Sequence, residues 1–276
     1  VQTPEAFSTR FRVDVRTENE VIFIDRKKKT VTVRQSSEDT YEESYDKLLI
    51  STGASPVRPP LPGIDLPGIF TLRNVTDTDR IKEYINSHSP RKAVVVGAGS
   101  IGVRPATSLA RGAELTIGPA GGIAVNDYLQ TSDEAIYAIG DAIEYRHPIT
   151  GKPWLNYLAG PANRQGRIVA DNILGAKIPY EGSIGTSIAK VFDMTVASTG
   201  LPGRRLRLEG IDYMSSTIHP ASHAGYYPDA MPMSIKITFD KQTGRLYGGQ
   251  IVGYDGVDKR IDELALVIKH QGTVYD

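Results

Sequence analysis

Three glycines, Gly97, Gly99 and Gly102, close the apolar run Ala93-Val94-Val95-Val96, and their spacing is the most direct hint of chemistry in the chain. A GxGxxG turn directly after a buried strand lets the backbone approach a pyrophosphate and sets that anion against the positive end of the following helix. The same fingerprint needs an uninterrupted helix and an acidic residue about 20 positions further on for a ribose hydroxyl. Here Pro105 stands three residues past Gly102, and the later positions read Gly121-Gly122-Ile123. A proline there removes a hydrogen bond and clashes within the expected helix, so the motif stands open between a nucleotide site and a plain glycine turn. A second candidate is Gly140-Asp141, at the end of Ala135-Ile136-Tyr137-Ala138-Ile139. A carboxylate at the carboxyl end of a buried strand can accept from a ligand hydroxyl, or it can cap the next segment. The 276 residues include no cysteine, which removes disulfides, thiolate metal ligands and a cysteine nucleophile from this chain. His219, His223 and His270 lack ligand-like spacing with acidic partners, and no metal is expected.

Short strands and tight turns are needed to hold these residues. Phe11-Arg12-Val13-Asp14-Val15, Val21 to Ile24 and Thr30 to Val33 alternate or cluster apolar residues, predicting strands, with Lys27-Lys28-Lys29 as a solvated turn between the last two. Lys47-Leu48-Leu49-Ile50 predicts a buried strand entering the turn Ser51-Thr52-Gly53-Ala54, followed by a proline-rich connector from Pro56 to Pro67. Helices are predicted around 77–87 and over 161–174, the latter with Ile168, Val169, Ile173 and Leu174 as its apolar stripe. From about residue 182 alternating strands dominate, as at 234–239 before the hairpin turn Asp240 to Gly244. A last helix over 259–270 carries Ile261, Leu264, Ala265, Leu266 and Ile268. The balance of 32 basic and 32 acidic residues offers no support for nucleic acid or anionic membrane as partner, leaving a small molecule as the expectation. No stretch approaches the roughly 20 apolar residues of a membrane-spanning helix, and the amino terminus lacks a signal-peptide apolar core. The chain therefore reads as soluble and cytoplasmic.

Five segments together carry a resemblance. They are Leu49-Ile50-Ser51-Thr52-Gly53-Ala54-Ser55-Pro56, residues Thr131 to Asp141, Leu158-Ala159-Gly160-Pro161-Ala162-Asn163-Arg164-Gln165-Gly166, Lys190-Val191-Phe192-Asp193, and Gly253 to Asp262. This series resembles the FAD-dependent pyridine nucleotide-disulfide oxidoreductases, in the branch of coenzyme A-disulfide reductase, NADH oxidase and persulfide reductase. The resemblance implies an α/β fold: an incomplete flavin disulfide reductase-like FAD-binding domain over 1–181, then an α+β dimerisation domain over 182–276. By the same resemblance the family opens with an FAD glycine motif and a redox cysteine, and this chain begins after the place of both. Residues 91–102 resemble the start of an NAD(P)H domain, joined near 100–104 to the return into the FAD domain, with most of the NAD(P)H domain absent. The family also runs beyond Asp276.

By the same resemblance, Asp141 takes a ribityl hydroxyl of FAD, Ser51, Thr52 and Gly53 run along its ADP half, and the Val21 backbone meets adenine. Leu158, Ala159 and Gly160 lie beside the flavin pyrimidine ring, where helix-terminal donors stabilise negative charge. Tyr226 and Tyr227 resemble a tyrosine-proline region that approaches coenzyme A or the redox cysteine across a dimer interface. Gly97, Gly99 and Gly102 are the candidate NAD(P)H contacts. The implied activity is NAD(P)H-driven, FAD-dependent reduction of a disulfide, persulfide or coenzyme A-disulfide by a homodimer, with the cysteine supplied outside this chain. An oxygen-using NADH oxidase and a non-catalytic scaffold are the alternatives.

Overall fold

The computed structural model describes residues 3–58, 60–92, 94 and 103–276. Gly97, Gly99 and Gly102 lie outside the described residues. The chain forms two compact units, one from 1–145 with 162–180 and the other from 146–161 with 181–276.

Thr3 opens the first unit by accepting from the Ala6 N–H with its side chain, and Pro4 follows at the first position of helix α1 (Pro4–Phe11). Proline is preorganised there because its missing N–H has no intrahelical partner to lose. Phe7 and Phe11, four residues apart, stack at 4.6 Å. This corrects the expected strand over 11–15: the helix ends at Phe11, Arg12 takes a left-handed conformation, and residues 13–15 are irregular. Five alternating residues were too short a run to establish a period.

The predicted hairpin forms as an antiparallel meander of β1 (Asn19–Asp25), β2 (Thr30–Gln35) and β3 (Thr40–Ser44). Asp25 Oδ1 accepts from the Lys27 and Lys28 amides, so the lysine triplet sits in a side-chain-closed turn. A guanidinium ties the meander down, with Arg26 Nε 2.7 Å from Asp133 Oδ2.

Two parallel strands place the site. They are β4 (Leu48–Ile50) and β8 (Ile136–Ala138), registered Leu48 to Ile136 and Ile50 to Ala138. β8 is buried along its whole length, as the apolar run predicted. β4 is less buried than expected: Ile50 is in the core, but Leu49 is 40% exposed. Between them run β5 (Ala54–Pro56), α2 (Val75–His88), β6 (Val103–Pro105), α3 (Ser108–Gly112) and β7 (Ile123–Ala124). Pro105 lies in β6, opposite Ala54 of β5, so the backbone at Pro105 is extended. β9 (Ile143–Arg146) runs parallel to β7. Helix α4 (Ala159–Ile173) buries Ile168 and Val169, whereas Leu174 falls past its end and is 87% exposed.

The second unit contains β10 (Pro153–Trp154), a five-stranded antiparallel sheet, and helices α5 (Gly203–Leu208) and α6 (Val257–Lys269). The sheet runs β11 (Ser187–Val191), β12 (Met194–Gly200), β15 (Leu246–Gly253), β14 (Met233–Phe239) and β13 (Met214–Ile218) in spatial order. α6 packs on β15 and β12, where Ile261 and Val257 join Ala197, Met233 and Ile251 in the core. Leu266, expected on that apolar stripe, is 56% exposed. One glycine makes the packing possible. A Cβ on Gly248 would lie 2.4 Å from the Leu201 carbonyl oxygen. Gly248→Ala is therefore expected to destabilise this unit by about 2–3 kcal/mol through overpacking against backbone, measured as a lowered denaturation midpoint. An unchanged midpoint would show that Leu201 shifts freely.

Candidate functional site

The carboxyl ends of β4 and β8 lie side by side, because the Ile139 amide donates to the Ile50 carbonyl at 3.1 Å. The two chains that leave these strands carry Ser51-Thr52-Gly53 and Gly140-Asp141. Gly53 and Gly140 both have positive φ, at 70° and 74°, a backbone that L side chains seldom adopt. A Cβ on Gly140 would stand 3.8 Å from Ser51 Oγ, so the two turns face each other across a short gap. Each turn is fixed from behind. Thr52 Oγ1 donates to the Ala106 carbonyl at 2.6 Å, the Ala106 amide donates to the Gly53 carbonyl at 2.9 Å, and the Gly140 amide donates to Gln165 Oε1 at 2.7 Å. Buried Gln165 reaches this position from α4.

Asp141 lies inside a short 3-10 turn, Gly140–Ala142, and no side-chain cap bond is made at its start. Its carboxylate instead meets Arg73, Nη2 to Oδ2 at 2.8 Å, with the aspartate side chain 16% exposed and the arginine 38%. The Arg73 amide donates to Asp77 Oδ2 at 2.9 Å, at the capping box where Asn74 starts α2. The same Nη2 lies 3.6 Å from where a Gly53 Cβ would be, so one guanidinium spans both turns. Sequence reasoning missed Arg73. It is 68 residues from Asp141 along the chain, and only the fold brings them together.

Val21 lies elsewhere in the same unit. β1 is an edge of its meander, and its register slips at Ile22, because Val21 pairs with Val33 and Phe23 with Thr32. Such a bulge leaves one residue out of the ladder and re-aims the strand. A cavity of about 190 Å³ opens beside it, lined by Glu20, Val21, Ile22, Phe23, Ser108 and Leu109, among others. Ala159 and Gly160 are the first two residues of α4, and Leu158 directly precedes it. Leading amides of a helix have no intrahelical acceptor. These three residues group with the second unit.

Also in the second unit, Tyr226 and Tyr227 stand on the loop between β13 and β14, 86% and 63% exposed, with their rings 5.3 Å apart. His219 Nδ1 is 2.9 Å from Ser234 Oγ, and His223 bonds within the tyrosine loop.

An FAD-type ligand suits the first unit: a mostly buried carboxylate can take hydroxyls, two glycine turns leave room for close approach, and a guanidinium can offset phosphate charge. The edge strand adds free backbone groups next to a cavity.

Comparison with known proteins gives a consistent picture. The profile described as pyridine nucleotide-disulphide oxidoreductase matches residues 4–109 and 100–160, and that of the same family's dimerisation domain matches 186–276. The chain is 30% identical to a coenzyme A disulfide reductase of Staphylococcus haemolyticus, over 99% of this chain and 79% of that protein. That alignment runs over 355 positions against 276 residues here, so at least 79 positions of the relative have no counterpart within the matched span. Among solved structures, reduced Bacillus anthracis CoADR-RHD superposes with a TM-score of 0.95 at 39% identity, covering 100% of this chain and 64% of that one. An NAD-dependent persulfide reductase from A. fulgidus gives 0.95 at 29%, covering 100% and 66%. The chain thus spans about two thirds of the length of these two structures. The two pieces of the first profile match meet within 100–109.

Proposed function

Because this chain belongs to the pyridine nucleotide-disulphide oxidoreductase family, we propose that it is the FAD-holding and dimerising part of an NAD(P)H-dependent reductase of disulfide, persulfide or coenzyme A-disulfide substrates. FAD, when bound, supplies a carrier for two electrons between the nicotinamide and the acceptor. For a disulfide the overall reaction balances as NAD(P)H, a proton and RSSR giving NAD(P)⁺ and two RSH. The carrying observation is the juxtaposition of Asp141, Arg73 and the Ser51-Thr52-Gly53 turn at the ends of two parallel strands, the place where open α/β sheets bind ligands.

In this reading Asp141 accepts from ribityl hydroxyls, Ser51, Thr52 and Gly53 border the ADP half, and the bulged edge at Val21 meets adenine. Leu158, Ala159 and Gly160 present helix-terminal amides to the flavin ring. A thiolate must come from outside these 276 residues, since they contain no cysteine. Gly97, Gly99 and Gly102 remain the proposed NAD(P)H contacts. Residues 1–181 form the FAD-binding part and 182–276 the dimerisation domain. No helix among the described residues is long and apolar enough to cross a membrane, and we place the protein in the cytoplasm.

The second unit supports a homodimer, because its sheet has α6 on one face. On the other face Val196 and Val252 are cross-strand partners, 43% and 37% exposed, and Phe192 is 94% exposed at the β11–β12 turn. A second copy would bury such apolar surface. Tyr227 then serves the partner's substrate site.

One experiment tests the whole reading. Protein expressed from the intact gene should sediment as a dimer with the flavin absorbance band moving at the same boundary. Anaerobic NAD(P)H should bleach that band, and coenzyme A disulfide should restore it. A folded protein without bound flavin would end the proposal.

A further inference from the structure

An aromatic pair on an exposed loop is a poor recognition element unless the loop is held, because each ordered backbone residue costs about 1–2 kcal/mol of conformational entropy. The loop carrying Tyr226 and Tyr227 has a closed neck. The Ser222 amide donates to the Met231 carbonyl at 2.8 Å, the Met233 amide donates to the Pro220 carbonyl at 3.0 Å, and Ala221 bridges Pro232. Ser222 itself is buried, and Arg260 of α6 donates from Nη2 to its carbonyl and from Nη1 to the Gly256 carbonyl, both at 2.9 Å.

Above that neck the His223 side chain bonds to both limbs. Its Nε2 lies 3.0 Å from the Pro228 carbonyl, and its Nδ1 3.0 Å from Ser222 Oγ. A carbonyl can only accept, so Nε2 donates to Pro228, and in the neutral ring that tautomer makes Nδ1 the acceptor. Ser222 Oγ already accepts from the Met231 amide at 3.1 Å, which leaves its hydroxyl hydrogen for Nδ1. Donors and acceptors therefore line up in one direction, from Met231 N–H through the Ser222 hydroxyl and the imidazole to Pro228 O. The ring edge of His223 also faces Tyr227, 6.4 Å between centroids at 77°, while the Tyr227 amide donates to Ala224 at 3.0 Å.

We propose that His223, bonded between Ser222 and Pro228, is a positioning residue that fixes Tyr227 for the disulfide substrate. This rests on the reading of Tyr227 given above. In this role the histidine acts through the tyrosine, by removing freedom from the chain on both sides of it.

The test uses flavin-loaded protein from the intact gene, with coenzyme A disulfide as substrate. His223→Ala should raise KM for the disulfide about 10-fold, the size of one lost positioning interaction, while flavin content and the rate of flavin reduction by NAD(P)H stay at wild-type values. Amide exchange of the peptide spanning 223–230 should accelerate in the same variant. His223→Gln, which keeps a donor for the Pro228 carbonyl, should recover part of both. In a Tyr227→Ala background His223→Ala should add nothing to KM, since the two act as one unit.

A raised KM in Tyr227→Ala with a normal KM in His223→Ala would overturn the positioning role and leave the tyrosine reading standing. Normal KM in both would overturn both. Full additivity of the two changes would show that His223 acts on something other than Tyr227, which also overturns the proposal.

Discussion

Asp141→Ala is expected to leave a folded protein with its flavin largely lost. The carboxylate accepts hydrogen bonds as an ion, and such bonds contribute about 1.5–3 kcal/mol, so FAD affinity should fall roughly 10- to 100-fold. A second consequence comes from Arg73, whose guanidinium is 2.8 Å from that carboxylate in this structure. Removing the aspartate frees Arg73 near Gly53, where, on the proposed reading, it faces the phosphates of FAD. The residual binding of Asp141→Ala should therefore become more sensitive to salt than that of the wild type. Arg73→Ala should act in the opposite sense on salt: affinity falls several-fold, a modest loss for a partly exposed charge, and the salt dependence flattens. Fluorescence titration of apoprotein with FAD at two ionic strengths measures all of these. Wild-type affinity in Asp141→Ala would remove this residue from the site.

How much of this was readable beforehand depended on the distance along the chain over which each signal acts. The run Ala135 to Ile139 announced a buried strand by itself, since five consecutive apolar residues followed by Gly140 leave few other structures, and β8 is buried throughout. Asn74 and Asp77 form a local cap, and α2 lies where the pattern placed it. Phe11 to Val15 misled because five alternating residues fit two periods. The stronger local signal was Thr3-Pro4 with Phe7 and Phe11 on one helix face. Leu174 and Leu266 show the limit of composition: each is apolar and follows a partly buried residue, yet one falls beyond its helix and the other points away from the core. Arg73 had no signal at all. A lone arginine before a helix cap is unremarkable until folding brings it against Asp141. The Ser222–His223–Pro228 bonds were equally hidden, because histidine was weighed only as a metal ligand and the loop closure that gives it two partners is tertiary.

The acid stability of the second unit should be governed by a histidine that sequence reading passed over. His147 is 1% exposed, its Nδ1 accepts from the Ile149 amide at 3.2 Å, and its ring meets Trp154 edge-on at 4.7 Å. Arg205 lies over the other partner, its guanidinium carbon 4.7 Å from the Trp154 ring. Burial above all, and then the Arg205 charge, lower the His147 pKa from 6.5 to about 4. The unfolded chain therefore binds this proton at a higher pH than the folded one. Stability from the neutral imidazole is fully present above about 6.5, and it is lost as pH falls from there through about 4. The slope approaches 1.4 kcal/mol per pH unit, for a total of about 3 kcal/mol. Trp154 is the only tryptophan, so its fluorescence during denaturant titration reports this unit without interference from the first. His147→Asn supplies the control: an asparagine oxygen can accept from the amide two residues on, and it does not titrate. The variant should lose the pH dependence between 6.5 and 4 while keeping most of its stability at neutral pH. An equally steep acid loss in His147→Asn would assign the effect to the carboxylates instead, with Glu209, held by Lys152 and Arg205, as the first to examine.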